Sequence, residues 1–312
     1  MKLALVFPGQ GSQSVGMLQS FAESKPVRDA FAEAADILQQ DLWKLVADGP
    51  AEDLNSTVNT QPLMLIAGYA VYRAWREAGG DQPAIVAGHS LGEYTALVVA
   101  GVISLRDALP LVRFRAQAMQ DAVPLGTGAM AAILGLDDDA VRAACAEAAQ
   151  SEIVEAVNFN APSQVVIAGH KSAVERAAAL AKTKGAKRAV MLPVSAPFHA
   201  SLLKPAAARL EQYLVNVTFN SPQMPVVNNV DVATVIDPQQ IKNALARQAC
   251  NPVRWVEVIQ HMGRAGATHV GECGPGKVLA GMTRRIDGAL QGFAIADAAS
   301  LAQAVQTFRQ AA

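Results

Sequence analysis

Between the apolar run Ala84-Ile85-Val86-Ala87 and the mostly apolar stretch Leu91 to Val99 stands the pentapeptide Gly88-His89-Ser90-Leu91-Gly92. No other feature of the chain limits its fold as strongly. The run reads as a buried strand and the stretch after it as a helix, so the chain must turn sharply from one into the other. Glycine on either side of the serine lets the backbone pack where a Cβ would collide, and such a turn lifts the hydroxyl clear of a sheet. Ser90 is therefore a candidate nucleophile. The Leu91 N–H, at a helix N-terminus, is placed to stabilise an oxyanion. An ordinary glycine turn with a capping serine would carry the same letters, so the rest of the chain has to decide.

Elsewhere the strand–helix style continues. Leu3 to Phe7 reads as a buried strand running into the loop Pro8-Gly9-Gln10-Gly11-Ser12-Gln13, and Val27, Ala30, Phe31, Ala34, Ile37 and Leu38 recur at helical spacing. Residues 62–78 form another apolar helix. Apolar strands alternating with helices predict a parallel sheet covered on both faces. The middle of the chain changes character. Strands at Gly128–Gly135, Ile153–Phe159, Gln164–Ala168 and Ala189–Val194, with helices at Asp138–Ala149 and Lys171–Lys184, give the order βαββαβ. That is the split-βαβ, or ferredoxin-like, pattern. The expected architecture is a large α/β-hydrolase-like domain from residues 1–124 and 196–312, with a small ferredoxin-like domain, 125–195, inserted. Helices near 202–215 and 238–248 and strands at Pro225–Asn228 and Thr268–Glu272 complete the large part.

Composition narrows the function classes. Hydrophobic residues make up 51% and charged residues 17% of 312, which excludes disorder, and a net charge of -1 without long like-charge runs advertises no nucleic-acid or membrane surface. The short basic cluster Lys182, Lys184, Lys187, Arg188 reads as a solvated face. Three separated cysteines, 145, 250 and 273, form no CxxC pair and fit a reducing compartment. The N-terminal apolar run is too short for a signal peptide, and no stretch approaches the roughly 18 apolar residues of a membrane span. A soluble cytoplasmic protein is expected.

A serine nucleophile needs a base. His89 neighbours the serine on a tight turn and should point away from it; His261 reads as a surface residue of a helix. His170 reads as a cap, His269 begins a late strand, and His199 lies where the chain re-enters the large domain, a place where clefts form. Position favours His199 and leaves His170 and His269 open. Gly271-Glu272-Cys273-Gly274-Pro275-Gly276-Lys277 approaches a phosphate loop, but Val278 stands where a hydroxyl would hold magnesium. Gly9-Gln10-Gly11 lacks the third glycine of a dinucleotide fingerprint, and no cluster has zinc spacing. No cofactor and no metal are expected.

Taken together, ten segments resemble the malonyl-CoA:acyl carrier protein transacylase family of bacterial fatty-acid synthesis, in that family's order. They are Phe7-Pro8-Gly9-Gln10-Gly11-Ser12-Gln13, Thr60-Gln61-Pro62, Gly88-His89-Ser90-Leu91-Gly92-Glu93-Tyr94, and Arg113-Phe114-Arg115 before Met119. Gly128-Ala129-Met130-Ala131-Ala132, Val157-Asn158-Phe159-Asn160-Ala161-Pro162 and Pro197-Phe198-His199 follow. Pro225-Val226-Val227-Asn228-Asn229-Val230, Gln248 before Asn251-Pro252-Val253, and Glu272-Cys273-Gly274-Pro275-Gly276 complete the set.

The resemblance implies that Ser90 attacks a thioester with His199 as base and later acid, and that a backbone carbonyl, here of Gln248, orients the histidine. It implies an oxyanion hole from the N–H groups of Gln10 and Leu91. It makes Arg115 the anchor of a malonyl carboxylate, a role for which a planar guanidinium with two parallel donors is suited. Gln61 would line the pocket near it, and Phe198 would favour malonyl over methylmalonyl. The implied partners are malonyl-CoA and an acyl carrier protein, with the chain acting as a monomer. Two rivals share the elbow or the partner: a serine esterase or thioesterase, and a silent docking protein for carrier proteins. A polyketide carrier in place of a fatty-acid one is a third variant.

Overall fold

Leu3–Phe7, five apolar residues in succession, form strand β1, buried along its whole length. In the computed structural model, which describes residues 1–310, β1 is the middle strand of a sheet. The other strands are β2 (Ile85–Gly88), β3 (Gly128–Leu134), β4 (Val154–Ala161), β5 (Gln164–His170), β6 (Arg188–Met191), β7 (Val226–Val227), β8 (His269–Cys273) and β9 (Gln291–Ile295). Five of them order as β7-β2-β1-β8-β9, every pair parallel.

Successive side chains of a strand point to opposite faces. Leu3, Leu5 and Phe7 of β1 accordingly enter one apolar cluster, with the helices Lys25–Leu38, Thr57–Glu77 and Leu105–Asp121. Ala4 and Val6 enter another, with Trp255, Ile259 and Met262 of the helix Trp255–Arg264 and Met282 of the helix Val278–Ile286. Covering on both faces is why β1 and β2 carry no polar alternation. β9 and the helix Ala298–Gln310 extend the sheet beyond the elements expected from the sequence. β9 is an edge strand with only Ile295 fully buried, so its letters give little apolar periodicity.

The second sheet has the order β4-β5-β3-β6, all antiparallel. Helices Asp138–Ala149 and Lys171–Thr183 pack on it around a separate apolar cluster. The first of these is capped by Asp137, which accepts the Ala140 N–H at 2.8 Å. His170, expected as a cap of the second, makes no capping bond; its Nδ1 instead accepts the Ile153 N–H at 2.9 Å. The ring is drawn toward the start of β4, where a backbone donor would otherwise lack a partner. Beyond the sheet, β4 binds the first unit through its main chain: Val253 N–H donates to Val157 O at 2.8 Å and Phe159 N–H to Val253 O at 3.0 Å. A bulge at Ala156/Asn158 accompanies this join. Among the described residues no helix is long and apolar enough to cross a membrane.

Candidate active site

Parallel pairing sets Phe7 of β1 beside Gly88 of β2, so both chains leave the sheet at the same end. The turn that follows has no room for side chains at its glycines. A Cβ on Gly88 would lie 1.8 Å from the Gly92 carbonyl carbon, and one on Gly92 would lie 2.1 Å from Phe7 O. Between them Ser90 is forced to a φ of 52°, a left-handed conformation that costs a non-glycine residue about 1 kcal/mol or more. Asn229, just past β7, holds it there: its Oδ1 accepts the Ser90 N–H at 2.7 Å and its Nδ2 donates to Gly88 O at 2.8 Å.

His199 also has positive φ, 67°, and is buried. Its Nε2 lies 2.7 Å from Ser90 Oγ and its Nδ1 2.8 Å from the backbone oxygen of Gln248, the last residue of the helix Pro238–Gln248. A carbonyl oxygen only accepts, so Nδ1 carries the proton and the bare Nε2 accepts from the Ser90 hydroxyl. Burial, and after it the charge of Arg115, push the imidazole down to about 3, which keeps it neutral in the resting site but lowers its basicity. None of the other four histidines is bonded to Ser90. His89 turns its Nε2 to Asn160 at 2.8 Å and packs on Trp255. His269 pairs with Leu3, at the opposite end of the parallel sheet. His170 is engaged at β4, and His261 sits in a helix last turn.

Arg115 is only 2% exposed, although it lies in the amphipathic helix Leu105–Asp121. Its Nη1 donates to Gln61 Oε1 at 2.7 Å, and its Nη2 donates to Ser90 Oγ and to Gln248 Oε1, each at 3.0 Å. The Tyr94 ring lies 5.4 Å below the guanidinium carbon. All of these partners are uncharged, and no salt bridge of Arg115 occurs among the described residues. A cation buried without a contacting anion is costly, and a ligand carboxylate there would be strongly held.

Above the serine opens a cleft of about 610 Å³, lined by Gln10, Leu91, Gln61 and Phe198 together with Met130 and Val166 of the second sheet. Neither the Gln10 nor the Leu91 backbone N–H donates to another group among the described residues, which leaves both free for an oxyanion. Ser90, His199, Arg115, Gln61, Gln10, Leu91 and Phe198 thus meet in one cleft, with Gln248 bonded to His199 and Arg115, while the alternative bases His170 and His269 lie away from Ser90. Glu93, Asn229 and Asn160 were given no role by sequence reasoning. Glu93 left a signal, a lone carboxylate in the first turn of an otherwise apolar helix, Gly92–Val99. The two asparagines left none, since their work depends on segments brought together from far along the chain.

The phosphate-loop-like segment is closed by its own acid. Glu272 is fully buried and accepts the Ala280 N–H at 2.9 Å, at the N-terminus of the helix Val278–Ile286. Its carboxylate sits where a phosphate would. No group of three or more His, Cys, Asp or Glu side chains is placed to hold a metal ion among the described residues.

A family model described as an acyl transferase domain matches residues 4–280. The malonyl CoA-acyl carrier protein transacylase of Escherichia coli strain K12 is 54% identical over 306 residues, covering 98% of this chain and 99% of that one. A crystal structure of an acyl-carrier-protein S-malonyltransferase from Burkholderia pseudomallei 1710b superposes with a TM-score of 0.97 at 67% identity, over 98% of this chain and 100% of the other. A type II PKS acyl-carrier protein in complex with its malonyl-transacylase gives a TM-score of 0.97 at 52% identity, again over 98% and 100%.

Proposed function

The chain belongs to the acyl transferase domain family, and from that premise we propose that it moves a malonyl group from coenzyme A to the thiol of an acyl carrier protein through an ester on Ser90. The observation that carries this reading is the buried, unpaired cation of Arg115 beside an activated serine. An esterase has no use for such a cation, whereas a malonyl thioester ends in the carboxylate it would bind.

In the first half-reaction His199 Nε2 takes the Ser90 proton while Oγ attacks the thioester carbon. The N–H groups of Gln10 and Leu91 hold the oxyanion. The C–S bond then breaks, and the proton passes from Nε2 to the sulfur, releasing coenzyme A as a thiol. In the second half-reaction His199 takes the proton of the carrier's phosphopantetheine thiol. The sulfur attacks the ester, and Ser90 recovers its proton as the C–O bond breaks. A backbone oxygen in place of an acid leaves the imidazolium less stabilised than in a Ser-His-Asp triad. The malonyl carboxylate compensates, because by neutralising Arg115 it removes one of the two main influences that lower the basicity of His199. Gln61 steadies the guanidinium, and Phe198 closes the wall against a branched acyl group.

The same reading treats residues 1–124 and 196–312 as one α/β-hydrolase-like domain and 125–195 as an inserted ferredoxin-like one; the strand order of the second sheet supports it. It takes the protein to be a cytoplasmic monomer that needs no cofactor. Intact-mass measurement after incubation with malonyl-CoA tests the chemistry. The wild type should gain one malonyl group and pass it to carrier protein, while Ser90→Ala should gain none. An adduct on Ser90→Ala, or release of free malonate in place of transfer, would remove the proposal.

A further inference from the structure

Beneath the reacting groups lies a buried carboxylate that the transfer itself does not consume. Glu93 is 2% exposed, three residues after the nucleophile, in the first turn of the helix Gly92–Val99. One oxygen, Oε2, accepts two hydrogen bonds: from Gln248 Nε2 at 2.9 Å and from the Asn229 N–H at 3.0 Å. Both donors belong to residues that touch the site. Asn229 holds the Ser90 N–H and Gly88 O, and so the strained turn. Gln248 has a wider part. Its Nε2 also donates to Ser90 O at 2.9 Å, its Oε1 accepts from Arg115, and its backbone oxygen accepts from His199.

A primary amide has one accepting and one donating end. An anion at the Nε2 end obliges the oxygen to face the guanidinium, and forbids the flipped amide that would set NH₂ against Arg115. Among the described residues Glu93 is also the one carboxylate tied into this network, so it is the internal negative charge closest in bonding to Arg115, one glutamine away.

We propose that Glu93 is a positioning residue for the transfer, which orients the Gln248 amide between the histidine and the carboxylate anchor and offsets the charge of Arg115 when no substrate carboxylate is bound. The inference rests on the malonyl-transfer reading. Its consequence is a dependence on the acyl donor. A malonyl donor brings its own anion to Arg115, while a donor without a carboxylate leaves the balance to Glu93. Burial lifts the Glu93 carboxyl to about 7 against the hydrogen bonds of Gln248 and Asn229, so above neutral pH it carries the charge the role requires.

Two variants separate orientation from charge. In Glu93→Gln the amide oxygen can accept both hydrogen bonds, and only the charge is lost; in Glu93→Ala both are lost. Acylation of Ser90 is followed at pH 8.5 with malonyl-CoA and with p-nitrophenyl acetate, a donor lacking a free carboxylate. Glu93→Gln should slow malonyl acylation by about threefold and acetyl acylation by about thirtyfold, a tenfold change in donor preference. Glu93→Ala should slow both by about a hundredfold, through loss of the aligned histidine. An unchanged donor preference in Glu93→Gln overturns the charge role, and wild-type rates in Glu93→Ala overturn the positioning role. If Glu93→Ala does not fold, the donor preference of Glu93→Gln decides alone. A wild type acylated by p-nitrophenyl acetate but not by malonyl-CoA would instead refute the malonyl-transfer reading.

Discussion

The parallel sheet and the antiparallel sheet face the same cleft, yet they give it different kinds of groups. From the first unit come Ser90, His199, Arg115, Gln61 and Gln248, every group that carries charge or moves a proton in the proposed transfer. From the second come Met130, Val166, Asn158 and Asn160, apolar or amide side chains that shape a wall. Proton transfer over 2.7 Å requires strained residues such as Ser90 and His199 to be held on every side, and the parallel sheet with its covering helices supplies that rigidity. A wall has a looser requirement. It must exclude water and admit one acyl group, which an independently cored unit joined at β4 can do.

Variants can break or sharpen this contrast. The largest effect beyond loss of the nucleophile is expected for Arg115→Ala. Removing the charge-assisted pair should cut malonyl transfer by about 10²–10³ while acetyl transfer falls far less, since a hydrogen bond to a charged group contributes a few kcal/mol and two are lost. Paired single-turnover assays with malonyl-CoA and acetyl-CoA give the ratio, and equal losses would show that Arg115 is not the anchor. A smaller effect is expected in the second unit. Leu192→Ala, at the half-buried cleft wall, should leave Ser90 acylation within about twofold but raise free-malonate release several-fold as water gains entry. If acylation itself collapsed, the division of labour between the sheets would be wrong.

The smallest effect on activity is expected where the first unit buries an acid away from the cleft. Burial pushes the Glu272 carboxyl up to about 7, above its ordinary value of 4.5, against the N–H groups of Val278, Leu279 and Ala280. A carboxyl raised in the folded state binds its proton more tightly there than when unfolded. Its contribution is therefore fully present below pH 4.5 and is lost as pH rises through 7. Relative to Glu272→Gln, the wild type should lose of order 1–3 kcal/mol of unfolding free energy between pH 5 and pH 8. Urea melts at several pH values measure this, with transfer activity at pH 7 little changed. A pH-independent difference would mean that the Glu272 carboxyl is not raised.

The sequence alone determined the local devices. Gly88-His89-Ser90-Leu91-Gly92 dictates its own turn because the glycines have no room for a Cβ, and an apolar β1 dictates a strand buried on both faces. The change to a βαββαβ order was likewise legible, because strand and helix periods differ locally. Which histidine serves Ser90 was not decided by periodicity; His170 and His269 remained alternatives until the fold placed His199 within 2.7 Å. Arg115 is hidden for the same reason, since an arginine on an amphipathic helix reads as exposed and only the packing of Gln61 and Gln248 around it buries it. Resemblance supplied those two assignments at the sequence level; the letters around them did not. Tertiary structure alone brought Glu93, Asn229 and Gln248 into one network. Hydrogen bonds between residues more than a hundred positions apart leave no periodic trace in a chain, because their partners are chosen by how the sheet and helices stack.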